Sequence, residues 1–305
     1  MNELNTGAAT GGEYGIAPGG FRLPAELRLG RVRLQVADLE RSVSWYRDVL
    51  GLRVMDRSAD EAVLGTHGQE VPLVVLREHR GSRPAAARGR LGLYHFAILL
   101  PDRAALGRFV THLARIGERA GASDHLVSEA LYLNDPDGLG IEVYADRPRE
   151  TWRYDAHRQL AMDTRPLDVD ALVRAAGGEP WSGMPAGTTI GHVHLHVAEM
   201  ERAAAFYHDA LGLDKVVWSY PGALFLSAGG YHHHLGLNTW AGPGATPAGE
   251  NDARLVDWEM VVPRRADADA AAESLRSAGH AAERIGGGWV AVDPWGTAVR
   301  IVSAG

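Results

Sequence analysis

Residues 93–100, LYHFAILL, alternate with the two-residue period of a strand: Phe96, Ile98 and Leu100 fall on one face, His95, Ala97 and Leu99 on the other. The apolar face is the seat for an amphipathic helix predicted over 103–116, so His95 points away from that helix. The turn Asp135-Pro136-Asp137-Gly138 opens a last strand, GIEVYAD, in which Glu142 lies between Ile141 and Val143. Those two neighbours take the apolar layer, which leaves Glu142 on the side of His95. The whole stretch reads as a βαβββ unit.

The pattern recurs. Residues 30–52 (GRVRLQVADLERSVSWYRDVLGL) match 191–213 (GHVHLHVAEMERAAAFYHDALGL) without a gap, down to the aromatic pairs Trp45-Tyr46 and Phe206-Tyr207. More weakly, 93–103 match 255–265, and 135–143 (DPDGLGIEV) match 293–301 (DPWGTAVRI). The expectation is an α+β fold of four βαβββ modules, at about 29–76, 91–146, 188–240 and 253–303, with mixed sheets curved into cups. Two tandem domains, 27–148 and 188–305, would be joined by a linker, 149–187, holding a short Asp-capped helix near Leu167. The Gly- and Ala-rich residues 1–26 read as a flexible leader whose end tucks Phe21 and Leu23 against the body. In the module-three helix Ala203, Phe206, Tyr207 and Leu211 have helical spacing, and core packing accounts for them.

Composition narrows the function. With 305 residues, 46% apolar and 23% charged, the chain is ordinary for a soluble globular protein with room for two cores. A net charge of −7 without a basic run argues against nucleic acid. The absence of cysteine excludes disulfides, thiolate nucleophiles and zinc–thiolate sites, and fits a reducing cytoplasm. No run approaches a membrane span.

The first strands of the four modules open with Arg31, His95, His192 and Asp257, and the matching last-strand positions of modules two and four hold Glu142 and Arg300. Of these only His95, Glu142 and His192 suit a divalent metal. Two His and one carboxylate, with three positions open, is the facial set associated with non-heme Fe(II), where a chelating diol and O2 fill the open places. The set forms only if module two faces module three in one cup; modules one and four then pair in another, where Arg31, Asp257 and Arg300 could leave a salt-bridged remnant.

Around the triad, His192, His194 and His196 share the cup face. The run Tyr231-His232-His233-His234 reads as the opening of a strand, with either His233 or the pair His232 and His234 inward, and His232 and His234 equally readable as exposed edge residues. An inward imidazole could accept a phenolic proton and return it. Tyr132 and His125 are further candidates, Tyr132 also reading as an ordinary strand aromatic. Trp218, Leu224, Leu226 and Trp240 suit either an aromatic-sized pocket or core, and Asn238 joins Trp240 as a candidate substrate contact.

With LYHFAILLP, SEALYLNDPDGLGIEVYADRP, IGHVHLHV and GALFLSAGGYHHHLGLNTW in place, the chain after residue 28 resembles the vicinal oxygen chelate superfamily, and within it extradiol ring-cleaving dioxygenases of the catechol 2,3-dioxygenase kind. The resemblance implies Fe(II), less often Mn(II), held by His192, His95 and Glu142. It puts His233 on the family's acid/base His, Tyr132 on the Tyr that bonds substrate, and His194 in a polar supporting position; His125 matches loosely, and His232 and His234 flank the site. The implied reaction adds O2 beside the diol of a catechol and gives a 2-hydroxymuconic semialdehyde. Most members draw all three ligands from the C-terminal half, whereas here they straddle both halves, as in some hydroquinone dioxygenases. Three rival readings remain: a glyoxalase-type isomerase, which wants a fourth protein ligand; a metal-free drug-sequestering protein; and a thiol transferase acting on an epoxide antibiotic. The expected partners are a small aromatic diol and O2, with neither nucleic acid nor membrane, and a homo-oligomer is compatible with the sequence.

Overall fold

Strand and helix signals resolve into elements in the computed structural model, which describes residues 14–304. Module one comprises β1 (Arg28–Val36), α1 (Leu39–Asp48), β2 (Arg53–Arg57), β3 (Glu61–Gly65) and β4 (Pro72–Glu78). Module two follows with β5 (Arg90–Leu99), α2 (Arg103–Ile116), β6 (Gly121–Asp124), β7 (Ser128–Asn134) and β8 (Gly140–Asp146). The connector carries α3 (Val169–Ala175). Module three has β9 (Thr189–His196), α4 (Met200–Ala204), β10 (Asp214–Val217), β11 (Ala223–Ser227) and β12 (Leu235–Asn238); a two-residue strand, β13 (Thr246–Pro247), precedes module four, which has β14 (Arg254–Val262), α5 (Arg265–Ser277), β15 (Ala282–Ile285), β16 (Gly288–Val292) and β17 (Ala298–Ser303). Asp38, Asp102 and Asp168 cap α1, α2 and α3, each accepting from a backbone N–H three residues on.

The module-three helix departs from α spacing. Beyond α4 the chain widens through Ala205–Ala210, where the Leu211 N–H donates to the Phe206 carbonyl, five residues back. Phe206, Tyr207 and Leu211 are all buried regardless.

Sheet order follows the repeat rather than the order of the chain. One sheet runs β10-β11-β12-β9-β5-β8-β7-β6 and unites modules three and two; the other runs β15-β16-β17-β14-β1-β4-β3-β2 and unites modules four and one. The seams are antiparallel, β5 to β9 and β1 to β14. Phe96, Ile98 and Leu100 pack with Leu106, Phe109 and Leu113 of α2 in one contiguous buried cluster that also takes Tyr46, Tyr207 and Trp258. Each tandem pair of modules is also stitched by the same tether: Tyr46 of α1 donates to Asp135 (3.1 Å) before β8, and Tyr207 donates to Asp293 (3.0 Å) before β17. The other oxygen of each carboxylate takes two backbone N–H groups of its own turn. The Asp-Pro-x-Gly turns are therefore held by their carboxylates as well as by Gly.

Two segments outside the four predicted modules are seated. Of the leader, residues 1–13 lie outside the described residues, but 14–26 are docked on module three: Ile16 bridges Lys215, Arg22 pairs with Asp214 (2.6 Å), and the Leu23 N–H donates to the Gly212 carbonyl. The flexible-leader reading is thus corrected for that part, while Leu23 is buried and Phe21 packs on the core as expected. The connector is no plain linker either. Leu160 donates to Val216 on edge strand β10, Arg165 and Asp124 exchange backbone bonds on the opposite edge strand β6, and Trp152 is buried beneath. It straps the open side of the first cup from rim to rim.

Candidate active site

The β5–β9 seam brings the predicted ligands together. Ala97 pairs with His192 across the antiparallel seam and with Glu142 across the parallel β5–β8 ladder, and His95 stands two residues before it on the same face. The small side chain of Ala97 leaves the space that the three donors share. His95 Nε2 lies 3.0 Å from Glu142 Oε2, His192 Nε2 lies 3.1 Å from the same oxygen, and the two nitrogens are 3.3 Å apart. All three residues are buried, and they form a group able to hold a metal. Metal–donor distances of about 2.0–2.2 Å put two ligands at right angles about 2.8–3.1 Å apart, a range that takes in the 3.0 and 3.1 Å edges and falls just short of the 3.3 Å one. Burial alone would raise the Glu142 carboxyl, but the facing His192 and His95 hold it well below the ordinary range. Burial pushes His192 down to about 4 against the pull of Glu142. A carboxylate facing an uncharged imidazole is the protonation state that ligation needs.

The second cup lacks that gap. Glu259 takes the place of Ala97 and pairs with Arg31 (2.9 Å) and Arg300 (3.8 Å), while Asp257 faces Arg33 (3.9 Å). The expected remnant exists, but it centres on Glu259 rather than Asp257.

A cavity of about 230 Å³ opens over the triad. His233, His194, Tyr132, His125 and Trp240 line it, as the sequence suggested; His232, His234 and Asn238 do not. The run 231–234 is a turn ahead of β12 rather than the start of a strand, so strand alternation does not govern it. His233 alone faces the cavity, its ring 4.1 Å from that of His192. His232 is fully buried behind it against Asp146, and His234 turns to Ser227 (3.1 Å). Asn238 sits behind His194. Its oxygen accepts from the Trp240 N–H and from His196, so its amide donates to His194 Nε2 (2.9 Å) and leaves that ring's proton on Nδ1, while burial holds the imidazole well below its ordinary value. Gly236 makes room for this ring, since a Cβ there would come within 2.9 Å of three of its atoms.

Tyr132 and His125 act as one unit. His125 Nδ1 donates to the Asp163 carbonyl (2.9 Å), which leaves Nε2 to accept the Tyr132 hydroxyl (2.6 Å). Burial and Glu142 together push the Tyr132 hydroxyl well above its ordinary value, so it remains protonated.

Several lining residues were not foreseen. Tyr94 reaches the cup beside His95 because the seam shifts register between Leu93 and His95, which breaks strict alternation. Phe225 lines the cavity, whereas Leu224 and Leu226, which the sequence left open between pocket and core, sit in the core, and Trp218 packs partly against it. Met162, Asp163 and Thr164 of the strap close the mouth with Tyr220, which meets Thr164 at 3.1 Å. Register would have given Phe225; nothing in the connector's composition marks it as a wall.

Paired βαβββ modules forming a cup around a buried His-His-Glu triad define a class, and a sequence profile agrees. The profile of the Glyoxalase/Bleomycin resistance protein/Dioxygenase superfamily matches residues 28–143 and 189–299, and the chain belongs to that superfamily. It is 43% identical over 271 residues to the Catechol-2,3-dioxygenase of Bacillus subtilis (strain 168), a match covering 88% of this chain and 94% of that protein. It is 26% identical over 144 residues to Biphenyl-2,3-diol 1,2-dioxygenase 3 of Rhodococcus globerulus, covering 45% and 74% of the two chains. Among solved structures, glyoxalase I from Zea mays aligns with a TM-score of 0.54 at 20% identity over 91% of this chain and 92% of that one, a likeness of fold.

Proposed function

We propose that this chain is an extradiol dioxygenase that opens the ring of catechol or a substituted catechol beside the diol, with Fe(II) held by His95, Glu142 and His192. The observation that carries the reading is the donor triangle: three protein ligands on one face, with the cavity on the other. The 43% identical catechol dioxygenase supports the substrate class. When bound, the metal would supply a Lewis acid that takes both diol oxygens and brings O2 beside the ring.

The chain's own residues do the rest. His233 faces the reacting centre and takes a phenolic proton as the diol binds, then returns one as the ring opens. Tyr132, its proton directed to His125, offers its oxygen lone pairs to a substrate hydroxyl. His194, held by Asn238, presents Nδ1–H toward the cup. The strap residues 162–164, with Tyr220 and Trp240, limit water around the bound diol.

A glyoxalase-type isomerase would use a fourth protein ligand. Among the described residues the group whose ligand atoms all lie within 4.8 Å of one another has three members, His95, Glu142 and His192. Fe(II)-reconstituted protein is expected to turn catechol yellow and to form no lactoylglutathione from the glutathione hemithioacetal of methylglyoxal. The opposite pattern would refute the reading.

A further inference from the structure

Behind His233 lies a hydrogen-bonded chain that the reaction as described leaves unused. Strand β8, which supplies Glu142, ends at Asp146. Asp146 Oδ1 accepts from His232 Nε2 at 2.9 Å and from the Tyr231 hydroxyl at 3.3 Å. The other nitrogen of His232, Nδ1, lies 2.7 Å from His233 Nδ1. His232 is fully buried, boxed by Tyr144, Trp152 and Tyr231, whereas the Asp146 side chain is 27% exposed. The chain thus runs from the cavity wall to solvent.

We propose that Asp146, acting through His232, is a positioning residue that sets which nitrogen of His233 is basic. The inference rests on the reading of His233 as the group that handles the substrate proton. A carboxylate only accepts, so His232 must donate from Nε2. In an uncharged imidazole the other nitrogen is then a lone pair, and it can only accept from His233 Nδ1–H. That leaves His233 Nε2 as a lone pair on the cavity side, ready for a proton before any diol arrives. With the wrong tautomer the same ring would present an N–H there and could not act as a base. The arrangement also gives the proton a route out. As the diol proton reaches His233 Nε2, the Nδ1 proton passes to His232 Nδ1 and the Nε2 proton of His232 passes to Asp146. Three protons shift, no electrons move, and each ring ends uncharged; the return path is the reverse.

The test reads tautomers directly and does not depend on turnover. Nitrogen-15 spectra of the full-length protein loaded with diamagnetic Zn(II) should show His232 protonated on Nε2 and His233 on Nδ1. In Asp146→Asn the side-chain amide can donate to His232 Nε2, and both rings should switch. In the Fe(II)-loaded enzyme the same variant should lose about 100-fold or more in kcat, the usual span of a general base, with KM and metal content within about threefold. Asp146→Glu should recover at least part of the loss. Tyr231→Phe, which leaves the His232 bond in place, should stay within about threefold. Should Asp146→Asn fold poorly, His232→Gln, able to accept from His233 and donate to Asp146, should keep more activity than His232→Leu. A doubly protonated His232, a His233 protonated on Nε2 in the wild type, or unswitched tautomers in Asp146→Asn would overturn the proposal. Expected tautomers in a wild type that opens no diol would instead refute the dioxygenase reading and leave the positioning intact.

Discussion

At the scale of single residues, the difference between the two cups is the difference between Ala97 and Glu259. Both occupy the same place in the repeat; one leaves a gap between three donors and the other fills it with a carboxylate that binds arginines. Ala97→Leu should therefore abolish metal binding although it alters no ligand, and metal analysis after reconstitution would show less than about a tenth of an ion per chain. Glu142→Gln should lose metal in the same assay. His233→Ala, in contrast, should keep its metal and lose about 10²–10⁴ in kcat; unchanged turnover would remove His233 from the mechanism. The ligands themselves were legible because they fall at equivalent positions of a repeat. His232 and His234 were not, since an alternation argument presumes a strand and the chain makes a turn there. Tyr94 was hidden for a related reason, a register shift that no single strand announces.

Among elements, the Tyr46–Asp135 and Tyr207–Asp293 tethers fasten a helix of one module to a turn of the next. Removing either hydroxyl leaves a buried carboxylate oxygen short of a partner, at a cost of about 1–3 kcal/mol. Tyr46→Phe and Tyr207→Phe should each shift the urea midpoint accordingly, with metal affinity retained. Burial pushes the Asp135 carboxyl up to about 6, so folding favours its protonated form. Its contribution to stability is complete below the ordinary carboxylate value near 4 and is lost as pH rises through 6. Urea midpoints measured from pH 4 to 7 should fall more steeply in the wild type than in Asp135→Asn. The start of α3 was readable from its Asp cap, and the strands from alternation. The strap was not, because residues 152–165 have neither period and their order comes from a hairpin closed at Tyr154 and Leu160 together with bonds to the two rims of the first cup.

For the molecule as a whole, the chain order pairs modules one with two and three with four, but the sheets pair two with three and one with four. The sequence contained this pairing indirectly: three good ligands distributed over modules two and three can meet only across the halves. A bound metal then ties β5 and β8 to β9, and so the first half to the second. Saturating metal at about 1,000 times its dissociation constant would stabilise the fold by about 4 kcal/mol, so chelation should lower the thermal midpoint of the wild type and leave that of Ala97→Leu unmoved. The most direct test of the account joins site and chemistry. Protein reconstituted anaerobically with one Fe(II) per chain is given catechol and a measured amount of O2, and product and oxygen consumption are followed together. One O2 consumed per catechol and a yellow semialdehyde from cleavage beside the diol are expected on this account. Oxygen uptake without ring opening, a colourless product cleaved between the two hydroxyls, or no reaction with the iron demonstrably bound at His95, Glu142 and His192 would contradict it.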